Sequence, residues 1–244
     1  MRNIKLTIEY DGTNYVGWQR QENGISVQQE LEKAINIVSG EDVILIGSGR
    51  TDSGVHAKGQ VANFKTSSTI PPEKFKFALN NNLPGDIAIL KSEEVSIDFH
   101  SRYDSIGKKY GYLIYNSKLP TALCRNLVYH VSYTLDYEEM KKAIDLFRGT
   151  HDFTSFMVAR NDVETAVRTI TNISLDKKGD LIFFSVEGDG FLYNMIRIIV
   201  GTLIDIGRGK LKAVDIPNII HLKHRKFAGH TAPPQGLYLE KVYY

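Results

Sequence analysis

The sequence predicts an α+β protein of two ferredoxin-like (RRM-like) halves, each in the order β-α-β-β-α-β, with mainly antiparallel sheets meeting at a central cleft. Three observations carry that expectation. Alternating strand-like runs and two amphipathic helical runs interleave in the first part of the chain. The same order then recurs with longer connections, although no residue repeat is visible. A chain of 244 residues, 42% of them hydrophobic, can bury one large core or two modest ones.

Taken in order, NIKLTIEY sets Ile4, Leu6, Ile8 and Tyr10 against Lys5, Thr7 and Glu9, the pattern of a half-buried strand. A helix follows. Ser26 with Gln29 forms its capping box, Val27, Leu31, Ala34, Ile35 and Val38 make one face, and Gly40 stops it. DVILIG and QVANFKT read as strands on either side of a glycine-rich loop. Pro71 and Pro72 open a second helix containing Phe75, Ala78 and Leu79, and DIAILKSEEV is the fourth strand.

In the second half, IGKKYGYLIYN is a strand with LVYHVSY as a companion. Asp136 and Glu139 cap a helix lined by Met140, Ala143, Ile144 and Phe147 and ended by Gly149. VRTITNISL and LIFFSVEG flank the turn DKKGD as a hairpin. An apolar helix from about residue 191, a shorter one near 213–221 and the strand LYLEKVYY complete the order. The expected domains are 1–105, carrying the glycine loop, and 106–244.

Composition narrows the setting. Charged residues are 24% and well mixed, which argues against disorder. The single cysteine, Cys124, excludes an internal disulfide, suits a reducing compartment and reads as a small apolar residue. The N-terminus reads as a strand rather than a signal peptide, and no run reaches transmembrane length. The expected location is the cytoplasm, away from membranes. A net charge of +2 neither demands nor forbids a nucleic-acid partner. Basic residues do cluster: Arg102 with Lys108 and Lys109, Arg208 with Lys210, and the run from Lys223 to Lys226. Each alone reads as a solvated face.

The most informative segment is GSGRTDSGVHAKGQVANF, Gly47 to Phe64. Four glycines bracket one acid, Asp52, and one base, Arg50, with His56 close behind. Asp beside Gly is ordinarily turn chemistry. This loop, however, holds more polar apparatus than a turn needs, and loops carried on a rigid frame commonly bear reactive groups. Asp52 is therefore the candidate reacting carboxylate. Arg197, in the apolar helix FLYNMIRIIVG, is expected to be buried and to need a partner; a structural acid serves as well as a functional one. If the partner is Asp52, the guanidinium keeps that carboxylate ionised. Tyr110 reads either as a sheet aromatic in the core or as a stacking platform for an exposed base.

Other chemistries fail on spacing. The loop is neither a dinucleotide fingerprint nor a P-loop. The histidines lack ligand spacing and one cysteine rules out thiolate zinc sites, so no metal is expected. Asp52-Ser53-Gly54 matches the aspartic-protease tripeptide, but no second copy exists to share the proton.

The nine-residue core GRTDSGVHA resembles the signature of the tRNA pseudouridine synthase A family. So do, in order, YDGTNYVGWQRQ, FHSRYDSIGKKYGYLIYN, FLYNMIRIIVG and TAPPQGLYL, which makes the resemblance run nearly end to end. Ser53 is a departure, since the family more often has alanine there. The resemblance implies a cofactor-free isomerisation of uridine to pseudouridine at tRNA positions 38, 39 and 40, in the anticodon stem-loop, by a homodimer. By position in the motifs, Asp52 matches the catalytic aspartate and Arg197 the arginine that pairs with it. Tyr110 matches the tyrosine that contacts the target base and is a candidate for removing the carbon 5 proton. Arg50 matches the loop arginine that meets the RNA. The alternative from the residues alone is a non-catalytic tRNA- or RNA-binding module. Against it, no RNP-type run is present, and a lone acid in a loop facing phosphates would weaken binding.

Overall fold

A computed structural model of the chain describes residues 1–158 and 164–244. It is a mixed α/β structure with mostly antiparallel strand pairing, in two compact units. The first unit comprises Met1–Ile106 and Tyr238–Tyr244, and the second Gly107–Leu237.

In the first unit, β1 (Arg2–Tyr10) buries Ile4, Leu6, Ile8 and Tyr10, as its alternation requires. Helix α1 (Val27–Ser39) begins where the Ser26 side chain accepts from Gln29 N, and ends at Gly40 in the left-handed conformation. It buries Val27, Leu31, Ala34 and Ile35. Strands β2 (Ile46–Gly47) and β3 (His56–Thr66), helix α2 (Phe75–Asn80) and β4 (Ile87–Val95) follow. The strand order is β4-β1-β3-β2, antiparallel throughout. Phe64 of β3 meets Phe75 of α2 edge to face at 5.6 Å, joining sheet and helix layers.

Three details differ from the expectation here. DVILIG supplies a strand of only two residues, because Ile46 and Gly47 alone find partners on β3, opposite Asn63 and Ala62. Strand β3 starts at His56, earlier than QVANFKT suggested. Its pairing with β1 also shifts register between Ile8–Gln60 and Tyr10–Ala57, an irregularity next to the glycine loop.

In the second unit, β5 (Gly107–Asn116) carries β6 (Tyr129–Val131) in parallel as a three-residue companion. Helix α3 (Tyr137–Ile144) is capped by Asp136 accepting from Glu139 N. It passes into a 3-10 turn over Asp145–Phe147, so Gly149 does not end the helix but opens a strand the pattern did not announce, β7 (Gly149–Asp152). Strands β8 (Val167–Lys178) and β9 (Leu181–Gly188) form the expected hairpin around Gly179. The order β5-β9-β8-β7 is antiparallel. Helix α4 (Met195–Gly207) starts later than the apolar run, after Asn194 at φ 62°, and α5 is Ile216–Leu222. Cys124 is exposed rather than packed as an apolar residue.

The last strand, β10 (Leu237–Tyr243), lies in the first unit from Tyr238 onward, where Tyr238 and Leu239 pair in parallel with His56 and Ala57 of β3. Among the described residues no helix is long and apolar enough to cross a membrane.

Phe64→Ala empties a fully packed position between the first unit's layers. It is expected to cost about 3–5 kcal/mol, read as a lower urea midpoint. An unchanged midpoint would refute this account of the core.

Candidate active site

Asp52 stands on the loop between β2 and β3, and that loop owes its shape to a second segment, Asp11–Trp18. Trp18 N donates to Thr51 O at 3.1 Å, Gly54 N to Tyr15 O at 3.4 Å, and the Ser53 hydroxyl to the same Tyr15 carbonyl at 3.1 Å. The segment is tied in turn to α1, since Val27 N donates to Gly17 O and Gln28 N to Trp18 O. Hydrogen bonds thus run from a rigid helix to the two neighbours of Asp52. Within the loop, Val55 N donates to Asp52 O at 3.1 Å and closes the turn.

Two glycines allow this approach. A Cβ on Gly17 would lie 2.6 Å from Thr51 O, and its φ of +111° disfavours any side chain. A Cβ on Gly12 would lie 2.0 Å from Val55 O.

Buried polar groups fix the rest. Tyr10 shares a hydrogen bond of 2.7 Å with Thr51 Oγ1, and burial pushes the Tyr10 phenol above its ordinary range, which keeps it protonated. The Tyr15 phenol, raised by burial and by Asp86, donates to Asp86 Oδ1. Fully buried Gln60 donates to Gly49 O at 2.9 Å and accepts from the Ser48 hydroxyl at 2.7 Å. Gly12 N donates to Nδ1 of buried His56 at 3.0 Å, and the His56 ring stacks on Tyr238 at 4.9 Å. His56 therefore packs behind the loop rather than reaching out of it.

The functional candidates of this unit then separate cleanly. Asp52 is half-buried, while Arg50 is exposed and makes no hydrogen bond or ion pair among the described residues. One residue away from the loop's ties, a carboxylate and an unspent guanidinium face different degrees of solvent. That suits an acid for chemistry and a cation for phosphate.

The other two candidates belong to the second unit. Tyr110 is 8% exposed on β5, opposite Val186, with its ring edge to face against Phe191 at 5.4 Å. Arg197 is half-buried, not fully buried as expected, and it alone breaks the otherwise buried run of α4. Its Nε donates to Ala232 O at 2.7 Å and its Nη1 to Asn194 Oδ1 at 2.7 Å, while Ala232 N donates to Arg197 O at 3.0 Å. Two directed bonds fix the guanidinium plane.

Sequence reasoning missed the residues that position these groups: Tyr10, Tyr15, Gly17, Thr51 and Gln60 around Asp52, and Asn194 and Ala232 around Arg197. For the first unit the signal was the clustering of glycines and aromatics in YDGTNYVGWQRQ; Asn194 and Ala232 lie in the blocks FLYNMIRIIVG and TAPPQGLYL. Ser53, the departure noted in the loop, gains a use in its bond to Tyr15 O.

A family model described as tRNA pseudouridine synthase matches residues 6–104 and 143–244. The chain is 57% identical to tRNA pseudouridine synthase A of Acetivibrio thermocellus over 244 residues, covering all of both chains. It is 56% identical to tRNA pseudouridine synthase A 2 of Clostridium perfringens and 50% identical to tRNA pseudouridine synthase A of Thermoanaerobacter sp. (strain X514), again over the full length of both.

Gly17→Ala forces a side chain into a positive-φ position against Thr51 O and is expected to destabilise the first unit by about 2 kcal/mol or more. Gly85→Ala, which meets open space, should change stability little. Equal melting temperatures for the two variants would show that segment 11–18 does not hold the loop.

Proposed function

The chain belongs to the tRNA pseudouridine synthase family, and from that premise we infer that it isomerises uridine to pseudouridine in the anticodon stem-loop of tRNA, at positions 38, 39 and 40. The observation that carries the assignment to a site is the half-buried carboxylate of Asp52 on a loop pinned by hydrogen bonds at Thr51, Ser53 and Gly54. A reacting group needs that kind of fixed placement.

In the isomerisation the N1–C1′ bond of uridine breaks, the uracil turns, and a C5–C1′ bond forms; C5 gives up a proton and N1 gains one. Nothing is added or lost. A fixed carboxylate serves this reaction by bonding covalently to the electron-poor centre of sugar or base, or by offsetting its positive charge. The target base has to leave its stack to be reached, and an aromatic ring beside the chemistry receives it. Tyr110 is assigned that contact, its ring being held by Phe191. Arg197 is assigned to keep the catalytic carboxylate ionised, and its fixed plane suits it to the task. Exposed Arg50 is assigned to an RNA phosphate.

The strand order β4-β1-β3-β2 of the first unit, all antiparallel with α1 and α2 as crossovers, supports reading it as ferredoxin-like. In the second unit β5, α3, β8, β9 and α4 follow the same sequence of elements. The tRNA substrate supports a cytoplasmic location, and the family resemblance extends the reading to a homodimer with one tRNA reaching across both subunits.

The test uses tRNA transcript tritiated at C5 of uridine, with tritium release and tRNA binding followed together. Asp52→Asn is expected to lower release by about a thousandfold or more while binding is kept. A wild type that binds tRNA but releases nothing would leave only the binding-module reading standing. For Arg197, a double-mutant cycle of Asp52→Asn with Arg197→Met should be strongly non-additive. Additive losses would remove Arg197 from the same step.

A further inference from the structure

The basic residues left over by the site come together elsewhere. Lys210 of one sequence cluster and Arg225 and Lys226 of another converge beyond the C-terminal end of α4, in the loop before β10. They border a concavity of about 420 Å³ lined by Asp205, Lys210, Arg225, Lys226, Phe227 and His230, with the backbone of their neighbours. That volume is in the range of small-molecule and cofactor sites. All of its lining belongs to the second unit.

Two groups in this concavity lack the partner their chemistry asks for. Asp205 is 7% exposed, and its Oδ2 accepts from both N and Nδ1 of His230 at 3.1 Å. Its Oδ1 is buried and has no hydrogen-bond partner; Lys210 Nζ stands off at 3.7 Å, near enough to offset charge but beyond a hydrogen bond. A buried carboxylate oxygen left so costs free energy until a donor reaches it. Arg225 has the opposite need. Its guanidinium is half-buried and spends Nη1 on Ala228 O and Nη2 on Thr231 Oγ1, with no carboxylate in ion-pair range among the described residues. Burial uncompensated by an anion holds its pKa below the ordinary guanidinium range. Lys226 is exposed beside it, its Nζ 4.9 Å from the Phe227 ring centre.

An ionised carboxylate only accepts and a guanidinium only donates. The fitting ligand thus carries an anion and, adjoining it, a neutral hydrogen-bond donor. A phosphodiester alone lacks the donor, and a deoxyribose phosphodiester lacks it too. A ribose phosphate has both, in the 2′-hydroxyl and the neighbouring phosphodiester. We propose that this concavity is a separate contact for the tRNA backbone, in which Arg225 and Lys226 take a phosphate, the exposed Lys210 side chain swings off Asp205 toward it, and the Oδ1 so uncovered accepts from the adjoining 2′-hydroxyl. The inference rests on the tRNA reading above and deepens it: this pocket checks that the strand is RNA, while Phe227 offers an apolar face to the sugar or base.

The full chain is assayed for tritium release and tRNA binding in parallel. Lys226→Ala, at an exposed side chain, is expected to weaken tRNA binding several-fold, in KM rather than kcat, and to reduce the slope of log Kd against log salt by about 1. For the hydroxyl, tRNA transcripts bearing scattered 2′-deoxynucleotides are selected for binding. At least one position should interfere with the wild type and cease to interfere with Asp205→Ala. An unchanged salt slope in Lys226→Ala overturns the phosphate contact, and an unchanged interference map in a folded Asp205→Ala overturns the hydroxyl contact. Should Asp205→Ala fail to fold, the isosteric Asp205→Asn takes its place, and an interference map unchanged in that variant overturns the hydroxyl contact. A wild type that releases no tritium would instead overturn the tRNA isomerase reading on which the pocket depends.

Discussion

The hydrogen bond from Trp18 N to Thr51 O is the constraint on which the proposed site depends. A loop of eight residues between a two-residue strand and β3 has too few contacts of its own to hold a carboxylate still. Trp18 connects it to something rigid, donating through its N–H to Thr51 and accepting through its carbonyl from Gln28 in α1. Each such bond contributes only about 1 kcal/mol net. Their value here is geometric, since bonds on both sides of Asp52 restrict the loop more than one strong bond would. The glycines follow from this. Gly12 and Gly17 lie where backbone must touch backbone, and no side chain has room at that distance.

The same logic explains two sequence blocks that look unrelated to chemistry. YDGTNYVGWQRQ contains no candidate nucleophile, yet its Tyr10, Tyr15, Gly17 and Trp18 all bear on the loop or on its supports. TAPPQGLYL contributes Ala232, which bonds Arg197 from both its N–H and its carbonyl, and Pro233, whose carbonyl accepts from the buried Tyr112 hydroxyl at 2.6 Å. In each unit the chemically distinctive residues are few, and much of what holds Asp52 and Arg197 is backbone.

Legibility in the sequence divided along that line. Helix α1 was readable to the residue, because Ser26, its apolar face and Gly40 are local signals of helix start, burial and stop. The alternation of β1 was equally plain. What failed was whatever depends on a partner far along the chain. Strand β2 is short because β3 offers it only two pairings, and β7 exists because Gly149–Asp152 meets β8, which no local pattern announces. Arg197 was expected to be buried on the strength of its apolar neighbours. Its helix is buried all round except at that position, an exception that periodicity cannot express. Asp52 and Arg50 stood out as a charged pair in a glycine loop, but their different exposure is a tertiary fact.

Charge gives the clearest case of arrangement outranking composition. A net charge of +2 spread over 244 residues describes a protein with no evident taste for phosphate. Yet several lysines and arginines are occupied: Arg2 and Lys5 on Glu94 and Glu93, Arg20 on Glu32, Lys109 on Glu187, Lys223 on Asp152. Exposed pairs of this kind stabilise the fold by little. They do, however, neutralise those surfaces toward a polyanion. Arg50 and Arg225, with no carboxylate against them among the described residues, therefore count for more than the total. Association with a polyanion responds to the field a cation projects, and a cation already paired projects little. The acid at Asp205 fits the same reasoning. Among cations it would only weaken phosphate binding, unless its unpartnered oxygen has a hydroxyl to receive, and that is what a ribose brings beside each phosphate.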